Sequence, residues 1–201
     1  MNNRITKFLA ITLFLLNISL VAKGEAVDAV TGATPVKLKI EANVDKQLVL
    51  DVSYEENSVI RKAPLGLNVD HRLLGKDAQQ LSKEKKENNT LVYEFQQVDG
   101  SRFFLDARIF PDGIALRYRV PADGPVCIYG EETSFIFPSQ TKAWYASGPF
   151  QYGWLQEYQE RETDHIEGEL LAPPATFRLP NGIYAAITEA NLFNYHGAVL
   201  L

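Results

Sequence analysis

The chain has 201 residues, of which 46% are hydrophobic and 22% charged, with a formal net charge of −5 at neutral pH. This is the composition of a folded globular chain, and it excludes a collagen-like, low-complexity or wholly disordered protein. A single cysteine, Cys127, excludes an internal disulfide framework and a cysteine-rich zinc site, and the acidic balance leaves no basic groove for nucleic-acid phosphates.

Arg4 and Lys7 open a short polar start, and Phe8 to Ala22 follows as an almost unbroken apolar run. A charged start ahead of an apolar core of this length is the layout of a secretory signal peptide. The run is short for a transmembrane helix, which needs about 20 residues. Small residues at Ala22, Gly24 and Ala26 offer cleavage sites, with Ala22-Lys23-Gly24 the first choice and Gly24-Glu25-Ala26 the second. The expected leader is therefore residues 1–24, and an uncleaved N-terminal anchor is the competing reading. Cleavage would remove Arg4, Lys7 and Lys23 and no acid, leaving a more acidic exported chain with no membrane span. Periplasmic residence is the expected location, and one cysteine suits an exported chain that does not rely on disulfides.

Residues 25–34 lack periodicity and read as a flexible lead-in. From residue 35 onward the sequence is strand-like. Pro35–Ala42 alternates, with Val36, Leu38 and Ile40 on one face and Lys37, Lys39 and Glu41 on the other. Gln47–Glu55 sets Leu48, Leu50, Val52 and Tyr54 on one face. Period-2 alternation means a sheet with one buried side. Asp77–Glu87 tempts a helix assignment, and its Lys/Glu cluster reads as a solvated loop or short helical turn. Thr90–Val98 and Ser101–Phe110 flank Asp99-Gly100, a hairpin signal. Pro111-Asp112-Gly113 makes a second tight turn into Gly113–Val120, whose Ile114, Leu116, Tyr118 and Val120 point inward and whose Arg117 and Arg119 point out. Val126–Phe137 and Gly182–Glu189 complete the predicted strands. Turn signals every 8–12 residues argue for one all-β sandwich of antiparallel sheets packed face to face.

Catalytic and cofactor motifs are missing: there is no GxSxG, HExxH, GxGxxG or P-loop. His71, His165 and His196 have no metal-like spacing, and each reads first as a surface or hydrogen-bonded histidine. Glycosidases use carboxylate pairs, but composition does not say which of 25 acids meet in space.

Four segments, in order along the chain, resemble the N-terminal domain of glycoside hydrolase family 97. Pro64-Leu65-Gly66-Leu67 resembles the family's "PLG" strand, and Phe110-Pro111-Asp112-Gly113-Ile114-Ala115-Leu116-Arg117-Tyr118 its "DDGVAFRY" hairpin. Glu131-Glu132-Thr133-Ser134-Phe135 resembles the "EET-F" segment. Tyr184-Ala185-Ala186-Ile187-Thr188-Glu189-Ala190-Asn191-Leu192, with Gly182 before it and Asn194-Tyr195 after it, resembles a "G-Y-AITEA-L-Y" pattern. The likeness spans residues 35–201, which implies that this stretch is the family's sandwich domain.

The resemblance implies a β-supersandwich of the galactose-mutarotase-like kind, in an exported bacterial enzyme acting on α-glucosides or α-galactosides. It implies a partner (β/α)8 barrel that carries the catalytic carboxylates, and a calcium ion at the active site to which the sandwich lends one glutamate. Carried onto this sequence, that glutamate is Glu189 of Ile187-Thr188-Glu189-Ala190. The competing reading is a surface acid at a strand end. Calcium takes carboxylate oxygens at about 2.3–2.6 Å, so a carboxylate fixed at the end of a buried strand suits it. Asn191, two residues on, is a weaker candidate for a sugar or near-site contact. Glu131 and Glu132 are adjacent in a strand and point to opposite faces, so at most one reaches a site. Trp144, Tyr145, Tyr152, Trp154 and Tyr158 form an aromatic stretch that can stack on sugar or pack against the barrel, with packing favoured.

The sequence ends at Gly197-Ala198-Val199-Leu200-Leu201, where a family member would continue toward its barrel. No barrel of about 250 residues fits in what is given. The general acid and the base or nucleophile are expected in that other part, so this chain alone is expected not to hydrolyse glycosides, and to behave as a gene fragment or partial product that exposes an unpaired interface. Two other functions compete. A stand-alone carbohydrate-binding module would draw on Trp144 to Tyr158, and a mutarotase-type epimerase would need a His and Glu facing one pocket.

Overall fold

A computed structural model of the chain describes residues 10–16, 34–148, 157–166, 168–191 and 197–200, with the backbone alone at 10–16 and 191. The strands run in chain order as β1 (Ala10–Leu16), β2 (Val36–Ala42), β3 (Leu48–Tyr54), β4 (Asn57–Pro64), β5 (Leu67–Val69), β6 (Arg72–Leu74), β7 (Gln79–Lys86) and β8 (Thr90–Gln96). They continue as β9 (Arg102–Phe110), β10 (Gly113–Arg119), β11 (Ile128–Glu131), β12 (Lys142–Ser147), β13 (Tyr158–Glu162), β14 (Leu171–Arg178) and β15 (Tyr184–Asn191). A 3-10 turn at Thr163–His165 is the sole helical element among the described residues.

Among the described residues the strands form three antiparallel sheets. One has nine strands in the order β13-β12-β14-β15-β1-β10-β9-β8-β7, and two have three strands, β2-β3-β4 and β11-β5-β6. The alternation read from the sequence is what builds them. Val36, Leu38 and Ile40 of β2 and Leu48, Leu50, Val52 and Tyr54 of β3 are buried, as are Ile114, Leu116 and Tyr118 of β10. These side chains join Leu91, Tyr93, Phe95, Phe103 and Leu105 of the large sheet in one apolar core. Phe103 stacks on Phe95 with ring centres 5.1 Å apart, and Phe95 in turn on Tyr93. The fold is therefore the all-β sandwich expected, with sheets packed face to face. Both turn signals hold as well: Gly100 takes φ +84° between β8 and β9, and Phe110 pairs with Gly113 across the second hairpin.

Several features differ from the expectations. Residues 79–86 of the charged segment are a strand, not a loop or helical turn. As β7 they form the outer edge of the large sheet and are mostly exposed. Lysine and glutamate on such an edge oppose pairing with another chain, which is the physical use of that charge run. Of Val126–Phe137 only Ile128–Glu131 is a strand. Residues 10–16, within the expected leader, form β1, which pairs antiparallel with β10 on one side and β15 on the other.

Outside the core, Asp106 of β9 is buried and clamped by both outward arginines of β10. Arg119 donates to its two carboxylate oxygens at 2.8 and 2.9 Å, and Arg117 donates through Nε at 3.0 Å and through its terminal nitrogen. Arg119 also lies over the Phe104 ring, 4.6 Å from its centre. No helix among the described residues is long and apolar enough to cross a membrane.

Candidate carboxylate site at the rim of the sandwich

Strand periodicity decides where Glu189 sits. Ala185 and Ile187 of β15 are buried, and Glu189 continues the same face two residues on. Its carboxylate therefore lies on the core side of the sheet where the apolar face runs out. It is half-buried there, and Oε1 accepts a hydrogen bond from the Ala198 backbone N–H at 2.6 Å. That donor is held in place by Leu200, whose backbone exchanges hydrogen bonds of 2.8 and 2.9 Å with Leu171 at the start of β14. Burial pushes the Glu189 carboxyl above its ordinary range, and the Ala198 N–H opposes the rise.

Glu131 comes from the opposite layer, at the end of β11. Its Oε1 is buried and accepts no hydrogen bond among the described residues. Burial pushes its carboxyl up to about 7; a hydrogen bond from Thr133 opposes this and the charge of Glu189 adds to it. The Thr133 hydroxyl lies 3.1 Å from the phenol oxygen of buried Tyr118. Burial and the nearby Glu189 charge both disfavour the ionised form of Glu131, and burial disfavours that of Glu189 as well. Glu131 also lines a cavity of about 680 Å³ with Phe135, Phe137, Leu171, Phe177 and Leu200.

The other candidates are placed as follows. Glu132 is exposed while Glu131 is turned inward, as adjacent strand residues must be. Asn191 is the last residue of β15, and its side chain lies outside the described residues. Tyr145 is fully buried and its hydroxyl donates to Glu169 at 2.8 Å, so it packs. Trp144 is half-buried on the outer face, with its ring 6.4 Å from that of Tyr184, and Tyr158 is exposed. Tyr152 and Trp154 lie outside the described residues, as does His196. His71 stacks on Tyr129 with ring centres 3.9 Å apart, and His165 belongs to the 3-10 turn. Among the described residues no three His, Cys, Asp or Glu side chains gather into a group able to hold a metal ion.

The profile of the family described as glycosyl-hydrolase 97 N-terminal matches residues 34–201. The chain belongs to that family. A curated relative, a probable retaining alpha-galactosidase of Streptomyces bingchenggensis (strain BCW-1), is 27% identical in an alignment of 184 positions that covers 82% of this chain and 28% of that protein. Among solved structures, a single-residue variant of a glycoside hydrolase family 97 enzyme from Pseudoalteromonas sp. strain K8 superposes with a TM-score of 0.68 at 19% identity. Another variant of a family 97 enzyme from the same strain, in complex with panose, superposes with a TM-score of 0.65, also at 19% identity. Each of these two alignments covers 82% of this chain and 28% of the other. The glycoside hydrolase 97 N-terminal domain thus spans somewhat over a quarter of the length of the relatives it matches, and the structural likenesses speak for its fold. Glu131 and Glu189 both fall inside the matched region.

Proposed function

We propose that this sandwich is the non-catalytic N-terminal part of an exported, calcium-dependent α-glycosidase, and that it presents Glu189 to an active site completed by a (β/α)8 barrel. The observation that carries this reading is the setting of Glu189: a strand-end carboxylate at the rim, with one oxygen held by the Ala198 N–H. A carboxylate fixed in this way is a hard oxygen ligand of the kind calcium selects. It is one ligand where about 6–8 oxygens are needed, so the other donors come from outside the described residues. Bound there, the ion would supply Lewis-acid and electrostatic stabilisation; Glu189 would orient it, with Asn191 beside it in the same strand. The substrate class, an α-glucoside or α-galactoside oligosaccharide, rests on the family and on the relatives named above. Export, with the periplasm as destination, rests on the charged start and apolar run of residues 1–24.

The test has two parts. The purified chain is incubated with aryl α-glucosides and α-galactosides, with and without calcium, and no aglycone release is expected. Residues 34–201 are then exchanged for the corresponding sandwich of the Pseudoalteromonas enzyme. The chimera is expected to hydrolyse its substrate with a calcium requirement, and Glu189→Gln to lower activity at least tenfold while raising the calcium needed. Hydrolysis by the chain alone, or a folded chimera indifferent to Glu189→Gln, overturns the reading.

A further inference from the structure

β14 and β15 diverge close to Glu189. Their ladder runs from the Arg178–Tyr184 pair to the Ala175–Ile187 pair and goes no further among the described residues. The next residues of β14 toward its start are Pro174 and Pro173, which carry no N–H to continue it. β15 runs on against β1, through Glu189. A strap of residues 197–200 enters the fork between the two strands. Leu200 exchanges backbone hydrogen bonds of 2.8 and 2.9 Å with Leu171, on the side of β14 that faces away from β12. From there the Ala198 N–H reaches the Glu189 carboxylate at 2.6 Å. The strap thus sets the aim of that carboxylate, and Leu171 sets the place of the strap.

Leu171 is in turn fixed by what precedes it. Glu169 lies between the 3-10 turn and β14, and its two carboxylate oxygens have separate partners. Oε2 accepts from the hydroxyl of fully buried Tyr145 on β12, and Oε1 accepts from Arg161 on β13, each at 2.8 Å. Hydrogen bonds to a charged acceptor are the strong ones. Burial and the Glu169 carboxylate push the Tyr145 phenol up to about 12, so it stays a donor at neutral pH. Two main-chain bonds complete the anchor. The Gly148 N–H donates to the Leu170 carbonyl at 2.8 Å, and the Glu169 N–H to the Ile166 carbonyl at 3.2 Å.

We propose that Glu169 is a positioning residue for Glu189. By tying residues 168–170 to β12 and β13 it fixes Leu171, hence the strap, hence the Ala198 N–H that orients the Glu189 carboxylate. A carboxylate placed only to stabilise the sheet would be missed by every strand that it joins. One that positions the strap is missed first at residues 198–200. The use of an oriented Glu189 rests on the glycosidase reading, whereas its orientation can be read with neither calcium nor sugar present.

The test uses two mild variants of the full chain, followed by NMR without calcium. Glu169→Gln keeps an acceptor for Tyr145 but loses the charge that grips Arg161, and Tyr145→Phe keeps the ring but loses the donor. Each is expected to move the Ala198 amide proton upfield, toward its position in Glu189→Ala. Each is also expected to speed amide exchange of Ala198 and Leu200 roughly tenfold or more, while Val52 and Leu105 in the core keep their protection. Asp106→Asn, which weakens a clamp elsewhere in the sheet, is expected to leave the Ala198 signal in place. In the chimera described above, Glu169→Gln is expected to raise the calcium needed for half activity severalfold and to leave kcat at saturating calcium unchanged. An Ala198 amide that neither variant moves, equal loss of protection at Ala198 and in the core, or a chimera that responds to Glu189→Gln but not to Glu169→Gln would each overturn the proposal. A chimera indifferent to Glu189→Gln overturns the glycosidase reading instead, and the amide signals then decide this one.

Discussion

Replacing Glu131 by glutamine isolates the electrostatics of the rim. The Glu131 carboxyl is raised from 4.5 to about 7, chiefly by burial. A carboxyl whose folded pKa is raised binds its proton more tightly in the folded state than in the unfolded chain. The group therefore costs nothing below about pH 4.5 and destabilises progressively as pH climbs through about 7. A rise from 4.5 to about 7, at about 1.4 kcal/mol per pH unit, gives at most about 3.5 kcal/mol by about pH 8. Glutamine is neutral at every pH, has nearly the same shape, and keeps a carbonyl acceptor for the Thr133 hydroxyl. Glu131→Gln is therefore expected to match the parent near pH 4.5 and to be more stable by about 2–3 kcal/mol near pH 8. For a chain of this size that is a rise in Tm of about 5–10 °C. Paired thermal and urea unfolding, run across this pH range with a chelator to keep divalent cations off Glu189, reads the difference. An advantage of equal size at both ends of the range, or a variant less stable than the parent near pH 8, refutes the reasoning.

Asp106→Ala leaves Arg117 and Arg119 without the buried carboxylate that both grip. Both arginines keep about a third of their side-chain surface in water, so the loss should fall at or below the low end for a broken buried pair, about 2–3 kcal/mol by urea denaturation. Asp106→Asn, which retains an acceptor, should lose less. At Gly75, φ is +97° and a Cβ would collide with the carbonyl oxygen of Leu65, whereas Gly100 has φ +84° and open space. Gly75→Ala is therefore expected to cost about 3 kcal/mol or more and Gly100→Ala about 1 kcal/mol in parallel melts, and equal costs would refute the steric argument.

The large-scale fold was legible in strands whose buried and wet faces alternate cleanly, and not in β12 and β14, whose alternation is interrupted by adjacent buried residues. β2 and β8 alternate throughout, and β3 and β10 over most of their length. β4 escaped notice because its ladder with β3 slips on either side of Val52, so Val59 and Ile60 are both buried and the alternation breaks. Near the slip on the Leu50 side Lys62 takes φ +47°, and its N–H is satisfied by the Asp51 carboxylate at 3.0 Å. β5 and β6 have three residues each, too few to show a period. β7 was missed because an edge strand is wet on both faces, and its lysines and glutamates look like those of a loop. The position of β1 was beyond local reading, since an apolar run carries no mark of which two edges it will join.

Glu189 was found through the resemblance of its motif, but its environment follows from parity. Once Ala185 and Ile187 face the core, a residue two further on must face the same way. A carboxylate in that place is tolerable only where the apolar layer ends and a donor is at hand, and the Ala198 N–H is that donor. Glu131 drew attention through the same resemblance, and its adjacency to Glu132 established that only one of the two turns inward. Which one, and toward what, depended on β11 joining the small sheet through β5 rather than the large sheet, a long-range pairing with no sequence signature. The rim therefore brings together two acids that burial pushes the same way: Glu131, whose carboxyl rises to about 7, and Glu189, whose rise the Ala198 N–H opposes. Glu131→Gln removes the acid with no hydrogen bond at its buried Oε1, whereas Glu189→Gln weakens the acceptor that the Ala198 N–H meets at the strand end.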